Sequence, residues 1–215
     1  ASVSHELSTP LQAIQHALFL LKEERGISAQ GQQDLQIVLS EAERMAALID
    51  RLRTSYRPTR KEDFQTIQLN SVVEDVYALV ATHLRHNRIA FEFHPDPNLP
   101  LIAGLSDQFH QVVLNLLMNA VEAMSDGGKL TVVTELVDQK EVLLSISDTG
   151  PGIEPVLLSH IFDPFVTSKE SGTGLGLTIT YDIVHRHNGR IAAQNAPGGG
   201  AIFTFWIPTI GKDAA

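Results

Sequence analysis

Two apolar stripes on a helical period, separated by one short polar break, constrain this chain's fold more than any other feature. Leu7, Leu11, Ile14, Leu18 and Leu21 recur at spacings of four and three, and Leu35, Val38, Ala42, Met45, Ile49 and Leu52 repeat the alternation. Each set therefore shares one helical face. The run GISAQG at 26–31 interrupts them, so the segment reads as an antiparallel helical hairpin. Two helices bury too little area to stand alone. Pairing of two copies into a four-helix bundle covers both stripes and predicts a homodimer; the other available cover is the rest of the same chain.

The heptads stop at the polar run TSYRPTRKED, 54–63, where Pro58 marks a linker. We divide the chain into a hairpin at 1–57, a linker at 58–63 and a second domain at 64–211. In that domain short strand-like runs fall at 66–69, 89–93, 129–135, 142–147, 189–194 and 201–207, and helical patterns at 71–84, 107–124 and 175–187. Antiparallel strands with helices gathered on one face predict an α+β sandwich. The absence of regular strand-helix alternation argues against a doubly wound sheet.

Composition removes several classes of function. A chain of 215 residues with 43% hydrophobic content supplies a real core. A formal charge of -9 without clustered Lys and Arg argues against nucleic acid as a partner. There are no cysteines, so disulfides and thiolate metal sites are excluded. No apolar run is long enough to span a bilayer, which leads us to expect a soluble, cytoplasmic fragment, although the parent protein could be membrane-anchored. Because its most reactive-looking residue stands almost at the first position, we expect the chain to be a fragment of something longer.

Four clusters carry chemistry. Asn115 and Asn119, with Glu122 three further on, share one face of an otherwise apolar helix. Two amides there either cap local backbone or line a cavity holding a polar ligand and a hard cation such as Mg²⁺. A strand at 142–147 runs into Asp148-Thr149-Gly150-Pro151-Gly152, either an ordinary turn or a place where a carboxylate accepts an exocyclic amine while the glycines allow a flat ligand close to backbone. Gly172-Thr173-Gly174-Leu175-Gly176 opens a helix whose N–H groups suit phosphate oxygens, without the lysine of a Walker loop. Between them, Phe162 and Phe165 read as anchors for a loop in which Thr167, Ser168 and Lys169 can close over phosphates.

His5 is the fourth. It lies off the Leu7–Leu11 stripe, so its imidazole faces solvent and can accept a phosphoryl group near neutral pH. Adjacent Glu6 can take or orient the other ring proton, Thr9 shares the helical face, and Pro10 suggests a bend beside them. The other eight histidines form no ligand grouping and read as surface or packing residues.

Ser4-His5-Glu6-Leu7-Ser8-Thr9-Pro10-Leu11 resembles the H box of the bacterial two-component sensor histidine kinases. Asn115-Leu116-Leu117-Met118-Asn119-Ala120 resembles their N box, Asp148–Gly152 the first glycine box, Phe162-Asp163-Pro164-Phe165 the F box and Gly172–Gly176 the second glycine box. All five stand in family order. The short interval from Phe165 to Gly172 is similar to the short-lid branch around nitrogen regulators, and Ser8 replaces the arginine of many members.

The resemblance implies a dimeric bundle followed by a sandwich of the histidine-kinase, chaperone and gyrase ATPase type. It implies ATP and Mg²⁺ as ligands, with Asn119 holding the metal, Asn115 beside the nucleotide and Asp148 reading adenine. By the same resemblance His5 is phosphorylated, Glu6 assists as base and Thr9 supports a phosphatase activity. The phosphoryl group then passes to an aspartate of a response-regulator receiver domain, and the resemblance also implies a sensor segment upstream. The rival readings are an ATPase of the chaperone or gyrase type, which carries a carboxylate in place of Asn115 and lacks the His5 hairpin, and a degenerate nucleotide-binding signalling module.

Overall fold

A computed structural model of the protein describes residues 31, 35, 38, 63–169 and 173–210. The chain divides into two units, Ala1–Pro58 and Thr59–Ala215. In the first, Gly31, Leu35 and Val38 are helical, so Gly31, the last residue of the expected break, already belongs to a helix. The rest of the predicted hairpin, the run 54–62, and His5, Glu6, Thr9 and Gly172 lie outside the described residues.

The second unit runs β1 (Gln65–Ile67), α1 (Leu69–His86), β2 (Ile89–His94), β3 (Ile102–Gly104), α2 (Ser106–Ala123), β4 (Gly128–Val137), β5 (Glu141–Asp148), α3 (Pro155–Leu158), α4 (Gly176–Arg186), β6 (Arg190–Asn195) and β7 (Ala201–Pro208). Five strands form one sheet in the order β2-β4-β5-β7-β6, and β1 pairs with β3 in a separate ribbon. Alternation decides which face is inside. Val142, Leu144, Ile146 and Asp148 of β5 and Ala201, Phe203, Phe205 and Ile207 of β7 are buried, while their neighbours on the other face are only half-buried.

Helices α1, α2 and α4 cover the buried face, α2 packing between the other two. Val72, Val73, Val76 and Val80 of α1 and Phe109, Val112, Val113, Leu116, Leu117 and Ala120 of α2 supply the apolar stripe that meets the sheet. On the opposite face long side chains shield the strands: Arg190 lies over the Trp206 ring at 4.4 Å and pairs with Glu141.

Three expectations need correction. The sheet is mixed, because β2 pairs parallel to β4. The connection through β3 and α2 returns the chain to the end of the sheet from which β2 started, as a parallel crossover must. The first strand ends at Ile67; Gln68 is the extended N-cap of α1, its side chain accepting the Asn70 N–H at 3.0 Å, and Leu69 enters the core as the first helical residue. β3 and the short α3 escaped the sequence reading, since three and four residues carry no resolvable period.

Candidate functional site

The amide face of α2 meets the start of α4. Asn115 Nδ2 donates to the Gly176 carbonyl at 3.2 Å and lies 3.4 Å from Thr180 Oγ1, which itself donates to the same carbonyl at 2.9 Å. Asn115 thus joins the first turn of α4 to the middle of α2, two segments that the sequence separates widely. Asn119, one turn along, is half-buried and its side chain has no hydrogen bond among the described residues. Its amide oxygen is uncommitted, and its donor chemistry suits a hard cation. Glu122 forms an ion pair with Lys169, which joins the end of α2 to the loop before α4.

Asp148 closes β5 with a side chain only 4% exposed. Its Oδ1 accepts two backbone N–H groups, from Gly150 at 2.9 Å and from Ala201 at 3.2 Å. Oδ2 has no partner among the described residues. A carboxylate so held, with one oxygen tied back and one free, can accept a donor from a ligand in a fixed direction. The turn after it is fastened to its surroundings: Thr149 Oγ1 accepts the Lys129 N–H at 2.9 Å and contacts Met124 Sδ at 3.7 Å.

The loop between the glycine sites is pinched at its base by backbone. Phe165 N–H donates to the Gly174 carbonyl at 3.1 Å, both residues have positive φ, and a Cβ on Gly174 would stand 2.4 Å from the Phe165 carbonyl carbon. The contact needs a glycine. This corrects the expected aromatic anchor in part. The Phe165 ring is 66% exposed, so its backbone does the anchoring, whereas the Phe162 ring does pack, 5.7 Å from Tyr181.

Among the described site residues, Asn115 of α2 meets Gly176 at the start of α4, and Glu122 of α2 separately meets Lys169 of the loop before α4. Asp148, Gly150 and Gly152 form their own turn at the end of β5. Thr173 accepts the Leu175 N–H on its hydroxyl at 3.4 Å. The Leu175 side chain is buried in the core, so only its backbone faces the glycine segment.

Two residues with structural roles here were not singled out from sequence. Asn195 clasps the backbone of Ile153, and His187 is buried at the end of α4. The His187 Nδ1 bonds the Ile183 carbonyl at 2.8 Å while Nε2 receives the Leu105 N–H at 3.2 Å. Because Leu105 can only donate, the ring is the neutral Nδ1–H tautomer. Burial holds its pKa below the ordinary histidine value, the Arg186 charge adds to that, and the Ile183 carbonyl and Asp107 oppose it. The ring stacks on Phe64 at 4.9 Å and meets Phe109 at 4.6 Å. Only burial, which sequence spacing did not reveal, distinguishes His187 from the exposed histidines.

A mixed sheet under three helices, with an asparagine-bearing helix beside a carboxylate turn and a glycine-rich helix start, defines an α+β sandwich. Residues 104–210 match the family described as histidine kinase-, DNA gyrase B- and HSP90-like ATPase, and residues 1–60 match the His Kinase A phospho-acceptor domain. The chain is 34% identical to the sensor histidine kinase ZraS of Klebsiella oxytoca over 99% of its own length and 46% of that relative's. It is 33% identical to the sensory histidine kinase/phosphatase NtrB of Vibrio alginolyticus over 97% of its length and 61% of the relative's. The catalytic domain of histidine kinase ThkA superimposes with a TM-score of 0.63 at 34% identity, over 68% of this chain and 98% of that one. The chain belongs to the two-component sensor histidine kinases, and it spans about half the length of the relatives it matches.

Proposed function

We propose that this chain binds ATP in its second unit, transfers the γ-phosphoryl group to His5 and passes it on to an aspartate of a response-regulator receiver domain. The observation that carries the ATP reading is Asp148: a buried carboxylate with Oδ1 held by two N–H groups and Oδ2 uncommitted suits the exocyclic amine of adenine. The N–H groups at the start of α4, with Lys169 nearby, suit the phosphates. Asn119 fits Mg²⁺, which when bound would neutralise charge on the phosphate oxygens.

In the transfer, an imidazole nitrogen of His5 attacks the γ-phosphorus, the bond to the β–γ bridging oxygen breaks and ADP leaves. Glu6 takes or holds the proton of the other ring nitrogen. Thr9 orients water for the opposing removal of phosphate from the regulator. The phospho-acceptor match at 1–60 supports the His5 assignment, and a homodimer through the apolar stripes accords with the exposed Val38. Among the described residues no helix is long and apolar enough to cross a membrane.

The test is incubation with γ-labelled ATP and Mg²⁺. Acid-labile, base-stable label that is absent from His5→Gln supports the assignment, and persistence of that label in the variant rejects His5 as acceptor.

A further inference from the structure

Asn195 ends β6, and its side chain serves one residue. Its Oδ1 accepts the Ile153 N–H at 2.7 Å and its Nδ2 donates to the Ile153 carbonyl at 2.7 Å. The amide thereby reproduces the two bonds of an antiparallel strand pair and fastens the far end of the turn that begins at Asp148. The same hairpin holds the near end. Ala201 N–H reaches Asp148 Oδ1 at 3.2 Å, and Gly200 lies so close that a Cβ there would fall 1.9 Å from the Asp148 carbonyl oxygen. Gly152 is fitted between the two attachments, with φ +80°, and a Cβ there would crowd Asn195 Oδ1 at 2.9 Å.

We infer that Asn195 is a positioning residue for base recognition: through Ile153 it sets the arc from Asp148 to Ile153, and so the direction in which Asp148 Oδ2 is presented. The inference rests on the adenine reading of Asp148 above. The residue type is demanding, because a short planar group must both accept and donate. Aspartate supplies only acceptors and turns one of them on the Ile153 carbonyl. Asn195 is exposed, so water can satisfy Ile153 when the amide is removed, and the fold survives while the arc loosens.

The experiment is calorimetric titration of the full chain with ATP and with purine riboside triphosphate, which lacks the exocyclic amine. It uses the parent chain, Asn195→Ala and Asn195→Asp, each checked for folding by circular dichroism. The parent is expected to prefer ATP by about tenfold, the worth of one hydrogen bond to a charged group. Asn195→Ala should lose most of that preference by weakening ATP alone, with analogue affinity within about twofold, and Asn195→Asp should lie between. If the parent prefers ATP and both variants keep the full preference, the positioning role is overturned and the adenine reading stands. If the parent binds the two nucleotides equally, the adenine reading fails and this inference with it.

Discussion

Asn115 and Gly176 are joined by a side-chain-to-backbone hydrogen bond of 3.2 Å, which fixes the amide face of α2 against the glycine start of α4. One residue from each of two motifs thus makes a single joint. Because the bond fixes where the helix start lies, it bears on the proposed phosphate site as well as on stability.

Asn115→Ala is therefore expected to lower stability by about 1 kcal/mol, the usual net worth of one partly buried hydrogen bond. A chain of this size should show a fall of a few degrees in Tm. ATP affinity should fall further than that modest destabilisation accounts for, because the start of α4 is released. Scanning calorimetry and nucleotide titration on the same variant separate the two effects.

The ion pair of Lys169 with Glu122 leads to the opposite balance. Their side chains are 37% and 51% exposed, so the pair contributes less than about 1 kcal/mol to the fold. Lys169→Ala should leave Tm nearly unchanged while weakening ATP binding, and the difference from the parent should shrink as salt rises. Binding isotherms at low and high ionic strength give the answer, and a salt-independent difference would exclude an electrostatic role.

Adjacent glycines in the β6–β7 turn should behave differently. Gly199 has φ +95° but a Cβ added there would lie 3.9 Å from the Gly150 carbonyl oxygen, ordinary contact, whereas Gly200 combines φ +90° with backbone 1.9 Å from where its Cβ would be. Gly199→Ala is expected to cost about 1–2 kcal/mol of backbone strain. Gly200→Ala must in addition displace Asp148 and should unfold or disorder the turn. Equal melting temperatures for the two variants would contradict the geometry.

His187 introduces a dependence on pH. Burial lowers its pKa from the ordinary 6.5, so as pH falls below that value the unfolded chain takes up the proton before the folded one does. The stabilisation is fully present above pH 6.5 and is lost as pH falls through the lower folded value. Arg186 reinforces that direction and Asp107 opposes it. Protonation also removes the acceptor for the Leu105 N–H, at the start of α2. The parent chain should lose Tm more steeply between pH 7 and pH 5 than His187→Gln, measured in matched buffers.

Much of the second unit was legible because period and position coincide. The alternation in Val142–Ser147 and Ala201–Ile207 shows which side is buried, and the stripe through Val112, Leu116 and Ala120 marks a helix against a sheet. The parallel pairing of β2 with β4 was not legible, since a strand's side-chain pattern is the same whichever way its neighbour runs. Phe165 misled because an aromatic in a loop suggests burial, while its role here falls to its backbone at positive φ.

The sequence alone determined the inventory: which residue types stand at which spacings, hence the helix faces, the carboxylate turn, the glycine-rich helix start and the resemblance to a kinase family. Tertiary structure decided the partners. That Asn115 meets Gly176, that Glu122 meets Lys169 and that Asn195 holds Ile153 follow from packing α2 against α4 and the loop before it, and from setting the end of β6 against the turn that follows β5, contacts between segments distant in the chain. Local spacing carries periodicity and turn chemistry. It carries no record of which distant group will satisfy a polar atom, because that is settled only when the layers close and each polar group left inside must find a partner.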